Sequence, residues 1–273
     1  MALNDISLTS GMRANLLNLQ STVDLLNRTQ LRLSTGKKVN TPIDNPLNYF
    51  VAKSLTDRAS DISLAKDSMS EAIQTLKAAD NGVKAINALI SAAKGVATSA
   101  LSASTGDISS LQTQYNGILT QIDNAANNSF YKGVNLLSSD TLSVNLGDSS
   151  TLSVAGFDST YSGLSISQAG AGGNNWVTGG TTAMNTSITE LDTAVSTLRV
   201  QSQNISSNSN IVTIRQEFAN NMINTLTQGA DNLTLADMNE EGANMLMLQT
   251  RQALGISALS LSAQAAQSVL KLF

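Results

Sequence analysis

Histidine and cysteine are both missing from the 273 residues of this chain. Without histidine there is no Ser-His-Asp triad, no imidazole-activated nucleophile and no His-ligated zinc. Without cysteine there are no disulfides, thiolate metal sites or thiol nucleophiles. Proteins outside the cell commonly use disulfides. Their absence points either to the cytosol or to export by a route that cross-links would obstruct. Proline occurs only at Pro42 and Pro46, outside every long periodic segment. Aromatic residues make up 4%, too few for a wide core built on large rings. Charged residues make up 13%, about half the globular norm of roughly 25%, and Ser, Thr and Asn take their place. Such a chain suits long helices joined along narrow seams.

The net charge is −4 and the isoelectric point near 4.8, so no basic patch is available for phosphate contacts and nucleic acid is excluded as a partner. Lys37-Lys38 is the only basic doublet and reads as a solvated loop. No run of about 18 apolar residues is present, so no membrane-inserting span is expected. The opening Met1-Ala2-Leu3-Asn4-Asp5-Ile6 has neither the basic nor the apolar region of a cleavable signal peptide.

What is present is helical periodicity. Met12, Leu16, Leu19, Val23, Leu26, Gln30 and Leu33 alternate at spacings of three and four, a coiled-coil seam with one polar interruption at Gln30. Gly36 is placed to stop this helix in the left-handed conformation. After the connector Thr41-Pro42-Ile43-Asp44-Asn45-Pro46, Asn45 suits the cap of a second helix and Pro46 its first position. Its stripe is Leu55, Ala59, Ile62, Lys66, Met69, Ile73, Leu76, Asp80 and Val83, and the helix is expected to reach about Ala103. Asp107 or Ser109 would cap a third helix with the seam Leu111, Tyr115, Ile118, Ile122, Ala125.

Between residues 138 and 183 the pattern changes. Leu142, Val144 and Leu146 alternate with polar residues, Gly147-Asp148-Ser149-Ser150 turns, and Leu152 and Val154 follow: a hairpin. Gly170-Ala171-Gly172-Gly173-Asn174-Asn175 and Gly179-Gly180 read as loop, with Trp176 between them covering an apolar edge. The helical period resumes at Met184, Ile188, Leu191, Val195, Leu198, Ser202, Ile205, Ser209 and Val212 and continues to Gly229.

The last segment, 233–273, carries two apolar stripes. One is Met238, Met245, Leu248, Gly255, Leu259, Ala266, Val269, Phe273. The other is Leu254, Ala258, Leu261, Ala265, Leu272. Two stripes on one helix require burial on more than one side, and so few partner segments point to neighbouring subunits as the cover.

Three separated runs then carry a resemblance. Leu31-Arg32-Leu33-Ser34-Thr35-Gly36-Lys37-Lys38-Val39-Asn40 with Asp44-Asn45, then Gln121-Ile122-Asp123 through Phe130-Tyr131-Lys132-Gly133-Val134-Asn135-Leu136-Leu137, and finally Ala236-Asp237-Met238-Asn239-Glu240-Glu241, Leu248 to Gly255 and Gln264 to Phe273 resemble, in order, the signatures of the bacterial flagellins. The resemblance implies a mainly α fold. N- and C-terminal regions would form a long antiparallel helical bundle or coiled coil, with a small β-hairpin insert in the middle. It implies an inner, tube-lining domain of residues 1–40 with 233–273, an outer rod-like domain of 41–137 with 184–232, and an exposed tip at 138–183.

The implied function is a filament subunit for swimming motility, extracellular and exported unfolded through the flagellar channel without a cleaved signal. Its implied partners are further copies of itself, the export apparatus with its chaperone, and the hook-associated and cap proteins. A hook-filament junction protein, or a secreted adhesin, is the alternative. The expected subunit-contact and seam residues are Met12, Leu16, Leu19, Val23, Leu26, Leu33, Leu248, Leu254, Leu259, Leu261, Val269, Leu272 and Phe273. Late in the second helix, flagellins recognised by the animal Toll-like receptor carry Arg residues and an Arg-Glu-Leu step. This chain has Ser91, Ala93, Lys94 and Gly95 there, which implies weak recognition.

Other motifs weaken on inspection. Asp237-x-Asn239-x-Glu241-Gly242 imitates the start of a calcium loop, but Leu248 stands where the bidentate Glu belongs. Gly170-Ala171-Gly172-Gly173 lacks the third glycine and the strand-to-helix setting of a dinucleotide site. Asp67, Glu71, Glu240 and Glu241 have no electrophile or pocket-building ring clustered with them. No catalytic residue, cofactor or metal site is expected, and the chain is read as a structural protein and not an enzyme.

Overall fold

The computed structural model describes residues 10–147, 150–170 and 174–270. The elements run α1 (Ser10–Thr35), α2 (Pro46–Ala100), α3 (Thr105–Asn128), β1 (Thr141–Gly147), β2 (Ser150–Ala155), α4 (Trp176–Thr234) and α5 (Met238–Leu270). The fold is mainly α with one small antiparallel sheet, as the sequence pattern indicates. Two compact units divide it. One takes the described residues up to Arg58 and from Thr225 onward, the other takes Ala59–Asn224.

Local chemistry explains the helix ends. Gly36 takes a φ of +70° and its N–H closes on Arg32 O at 2.8 Å, a left-handed stop for α1. Asn45 Oδ1 accepts from Asn48 N–H at 3.1 Å, and Pro46 opens α2, where its missing donor costs nothing. Beyond these two ends the structure corrects several limits. α2 stops at Ala100, short of Ala103. α3 is capped by Ser104, not by Asp107 or Ser109. Ser104 O accepts from the N–H groups of Asp107 and Ile108, and its hydroxyl donates to Asp107 Oδ2 at 2.6 Å. Asp107 already lies in the first turn, where its charge meets the positive helix end. α4 begins at Trp176, before Met184, with a kink at Gly180 (φ +59°), and continues through Gly229 to Thr234.

The unit of residues 59–224 holds the larger core. Along α2 the buried positions are Ala59, Ile62, Ala65, Met69, Ala72, Leu76, Ala79 and Val83, continuing through Ile86 and Ile90. The large positions recur every seven residues, as expected. The positions between them are Ala65, Ala72 and Ala79, one residue before Lys66, Ile73 and Asp80. In α4, Ser187 and Ala194 are buried in place of Ile188 and Val195. Small residues at these positions let helix axes approach, and the longer neighbours point to the flank. In α3 the step goes the other way: Tyr115, Leu119, Ile122 and Ala126 are buried, Ile118 and Ala125 only half.

The turn after α3 is held by Asn135. Its amide donates to Ala126 O at 2.9 Å and Asn127 O at 3.0 Å, satisfying carbonyls that the helix end leaves open. Its Oδ1 accepts from Leu137 N–H. Leu136 and Leu137 are thereby driven into the core. Gly82 of α2 lies under this turn, where a Cβ would overlap Ser129 and Leu137.

β1 and β2 pair Val144 with Leu152 and Leu142 with Val154, with an irregularity between Asn145 and Gly147. Val144 and Val154 are buried, so one face of the hairpin is inward. Asp148 and Ser149 of the expected turn lie outside the described residues, as do Ala171, Gly172 and Gly173 of the glycine-rich run. Trp176 does not cover an edge, as expected, but is fully buried. Its ring lies 4.8 Å from that of Tyr115, and its Nε1–H donates to Ser187 Oγ at 3.0 Å. Burial also pushes the Tyr115 phenol well above its ordinary pKa.

Candidate assembly interface

The terminal helices α1 and α5 belong to the other unit and run antiparallel. At one end the ties are polar. Arg32 Nη1–H donates to Glu241 Oε1 at 2.8 Å, Ala236 N–H donates to Gly36 O at 3.0 Å, and Lys38 N–H donates to Thr234 O at 2.8 Å. Asp237 caps α5, its Oδ1 accepting from the N–H groups of Asn239 and Glu240. Two carboxylates of the calcium-like run are therefore engaged by protein donors, Asp237 by its own helix and Glu241 by Arg32. Nearby, Asp44 Oδ2 accepts from the backbone of Thr41 and Asn40 and from the Thr41 hydroxyl. The Thr41 backbone contact is the largest of the influences holding its carboxyl below the ordinary aspartate pKa.

The seam of α1 departs from the expected one in the same way as α2. Met12 is buried, and Leu19, Leu26 and Leu33 are half-buried, seven residues apart. Between them the inward residues are Asn15, Thr22 and Thr29. Thr22 and Thr29 are fully buried, whereas Leu16 and Gln30 are exposed and Val23 is half-buried. Thr22 satisfies its hydroxyl on Asn18 O at 2.8 Å, so it can be buried without an orphaned donor. On α5, Glu241, Met245, Leu248, Gln252, Gly255, Leu259 and Ser262 are buried or half-buried. Leu19 is seated on Gly255, where a Cβ would meet Leu19 Cδ1 at 2.6 Å. Threonine and glycine make the close approach possible.

The second stripe of α5 faces outward. Leu254 is 66% and Leu261 71% exposed, and Ala258 and Ala265 are exposed with them. Leu246, Met247 and Ile256 add to this surface, and Leu17 (69%) and Leu31 (50%) expose apolar side chains on α1. Of the stripe counted as inward, Met238 is exposed as well. Val269 lies in α5 but its side chain is outside the described residues, as are Leu272 and Phe273. At the start of α2, an open hollow of about 580 Å³ is lined by Pro46, Leu47, Phe50, Val51, Ser54 and Leu55, none of them charged. Among the described residues, no helix is long and apolar enough to cross a membrane.

Comparison with known proteins identifies the family to which the chain belongs. Residues 6–141 match the family model for the bacterial flagellin N-terminal helical region. Flagellin FljO of Caulobacter vibrioides is 30% identical over 278 aligned positions, covering all of both chains. The chain belongs to the bacterial flagellin family. Flagellin FljK of the same organism is 31% identical, again over the whole of both chains. The flagellin of Brucella melitensis is 27% identical over 93% of this chain and 94% of its own. A crystal structure of Bacillus cereus flagellin aligns at 19% identity with a TM-score of 0.48, covering 56% of this chain and 88% of that one. This flagellin is a structural subunit of the flagellar filament, an extracellular assembly of many copies of such chains.

The residues absent from the expected site set are Thr22, Thr29, Arg32 and Glu241. Thr22 and Thr29 share a seven-residue step with Asn15, a signal legible in the sequence but masked by the larger side chains beside it.

Proposed function

We propose that this flagellin polymerises head to tail through its terminal helices. The observation that carries the reading is the outer face of α5, where Leu254 and Leu261 project into solvent beside Leu246 and Met247. An apolar strip on a helix whose other side is already packed calls for a second cover. A heterologous contact that does not close into a ring extends as an open helical filament. Each added subunit then gains about 25 cal/mol per Å² of apolar area buried, against the entropy of ordering the helices. In this assignment residues 1–40 with 233–273 line the tube, 41–137 with 184–232 surround them, and 138–183 face outward. The chain acts passively, as a structural element and not as a catalyst.

The same reading includes unfolded export through a narrow channel, with the export apparatus, its chaperone and the hook-associated and cap proteins as partners. A cysteine-free chain suits that route, because no disulfide can lock a partly folded form. Weak recognition by the animal receptor also belongs to it. Ser91 and Gly95 are exposed, but this stretch offers Ser91, Ala93, Lys94 and Gly95 where recognised flagellins carry Arg residues and an Arg-Glu-Leu step, so those cationic contacts are missing. A receptor reporter responding at ordinary flagellin doses would overturn that point.

The test is electron microscopy after salt-induced assembly, comparing the full chain with one lacking residues 233–273. Long uniform tubes from the full chain and none from the truncated one support assembly through the ends. Normal filaments from the truncated chain would sink the mechanism.

A further inference from the structure

Glu241 is the one charged residue among the buried described residues, and its side chain is 8% exposed. It meets Arg32 through a single hydrogen bond of 2.8 Å. Arg32 Nε and Glu241 Oε2 have no hydrogen-bond partner although both are buried. A pair left half satisfied in this way contributes poorly to stability, and apolar residues of similar volume commonly do as well or better. Its position suggests a different use.

Glu241 occupies the same seven-residue line of α5 as Leu248, Gly255 and Ser262, all turned toward α1. On α1 the inward line is Met12, Leu19, Leu26 and Leu33, with Thr22 and Thr29 between. Such a pattern repeats under a shift of one heptad: leucine falls again on the place of leucine, and threonine on that of threonine. The apolar contacts therefore discriminate weakly between alignments displaced by about 10 Å, the length of seven helical residues. Three features do not repeat: Leu19 seated on Gly255, the backbone ties of Ala236 N–H to Gly36 O and Lys38 N–H to Thr234 O at the helix ends, and Arg32 on Glu241. Of these, the last alone joins opposite charges. A one-heptad slip in one direction would set Glu241 against Leu26, leaving a buried carboxylate without its cation, and in the other it would carry Glu241 past the end of α1, away from Arg32. Polar groups placed in a seam are known to select register in this manner.

We infer that the Arg32–Glu241 pair is a register lock, two positioning residues that select one of several heptad-related alignments of α1 on α5. This rests on the reading that the terminal helices form the assembly surface. By fixing the alignment, the pair fixes where Leu254 and Leu261 of α5 stand relative to Leu17 and Leu31 of α1. A neighbouring subunit then meets a single surface pattern. A slipped subunit offers its strip about 10 Å out of place and cannot extend the tube.

The cysteine-free chain allows a direct test. Leu19 lies on Gly255, so heptad spacing puts Leu26 opposite Leu248. Leu26→Cys with Leu248→Cys reports the observed register, and Leu19→Cys with Leu248→Cys reports the one-heptad slip that sets Glu241 against Leu26. Each pair is placed in the otherwise unaltered full chain and in a chain carrying Arg32→Leu with Glu241→Leu. The unaltered background should cross-link through the first pair only. In the double-leucine background the slipped cross-link should rise relative to the native one by on the order of tenfold, the ratio released when a charged hydrogen bond is lost. Helix content should stay unchanged, and long filaments should be lost when the double-leucine chain is assembled without the reporter cysteines. The charge-swapped chain, Arg32→Glu with Glu241→Arg, should restore both the single cross-link and the filaments, which separates a register effect from failure to fold. Native-only cross-links from the double-leucine chain would overturn the lock. Slipped cross-links with normal filaments would overturn its role in assembly. Normal filaments from the chain lacking residues 233–273 would instead overturn the underlying reading, leaving the cross-link result intact.

Discussion

The unit of residues 59–224 and the unit of the two terminal helices use the same heptad grammar to different ends. In the first, Met69, Leu76, Ile86, Ile90, Leu119, Ile122, Trp176 and Leu191 are all buried to the last few percent of their surface. In the second, the inward positions of α1 and α5 are half-filled by threonine, glycine and a charged pair, while leucines of both helices lie in solvent. The contrast shows where stability is stored and where it is withheld. A domain that buries its large side chains within itself is stable alone. A helix pair that leaves them outside keeps apolar surface free for the cover by another copy of the chain that the proposed assembly supplies.

That comparison can be broken or sharpened by substitution, read as monomer stability in thermal or denaturant unfolding. Trp176→Ala should cost the most, about 3–5 kcal/mol, because it empties the space beside Tyr115 and removes one of the donors to Ser187 Oγ, which keeps Asn174 as a partner. A cost below about 1 kcal/mol would mean that the larger core is not where stability resides. Gly82→Ala should cost about 1–3 kcal/mol, since the added methyl meets Ser129 and Leu137 and the Asn135 turn must shift. Leu254→Asp with Leu261→Asp should change monomer stability by no more than about 0.5 kcal/mol, both side chains being exposed. The same pair should abolish filaments in electron microscopy. Filaments of normal length from it would erase the distinction between the two units.

The smallest effect concerns Asp44. Its lowered pKa stabilises the fold above the unfolded aspartate value, and that contribution is lost as pH falls through the folded value. Asp44→Asn should therefore be slightly less stable than the natural chain at neutral pH. The gap should close as acid protonates the carboxylate. A gap that persists or widens in acid would show that the Thr41 turn does not depend on the charge.

Much of the fold was readable in advance because it rests on local chemistry. Gly36 ends α1 because glycine alone takes a left-handed φ freely, and Asn45-Pro46 starts α2 because one supplies a cap and the other needs none. The hairpin follows from alternation around a glycine turn. Of the candidate interface, the exposure of Leu254 and Leu261 followed from counting two apolar stripes on one helix. The seam itself was legible only every seventh residue.

The amino-acid sequence by itself determined the succession of helices, their principal stops, the heptad line of large residues and the exclusion of thiol and imidazole chemistry. Those properties depend on neighbours a few residues away or on composition. Only the tertiary structure decided the rest: that Ala65 and Ala72 lie inward in place of Lys66 and Ile73, that Thr22 and Thr29 do so in place of Val23 and Gln30, that Trp176 is core, and that Glu241 faces Arg32. Hydrophobicity ranks each residue by its own transfer free energy. Which of two adjacent positions turns inward is set by how closely the facing helix can approach, and that distance belongs to the pair of helices, not to either one.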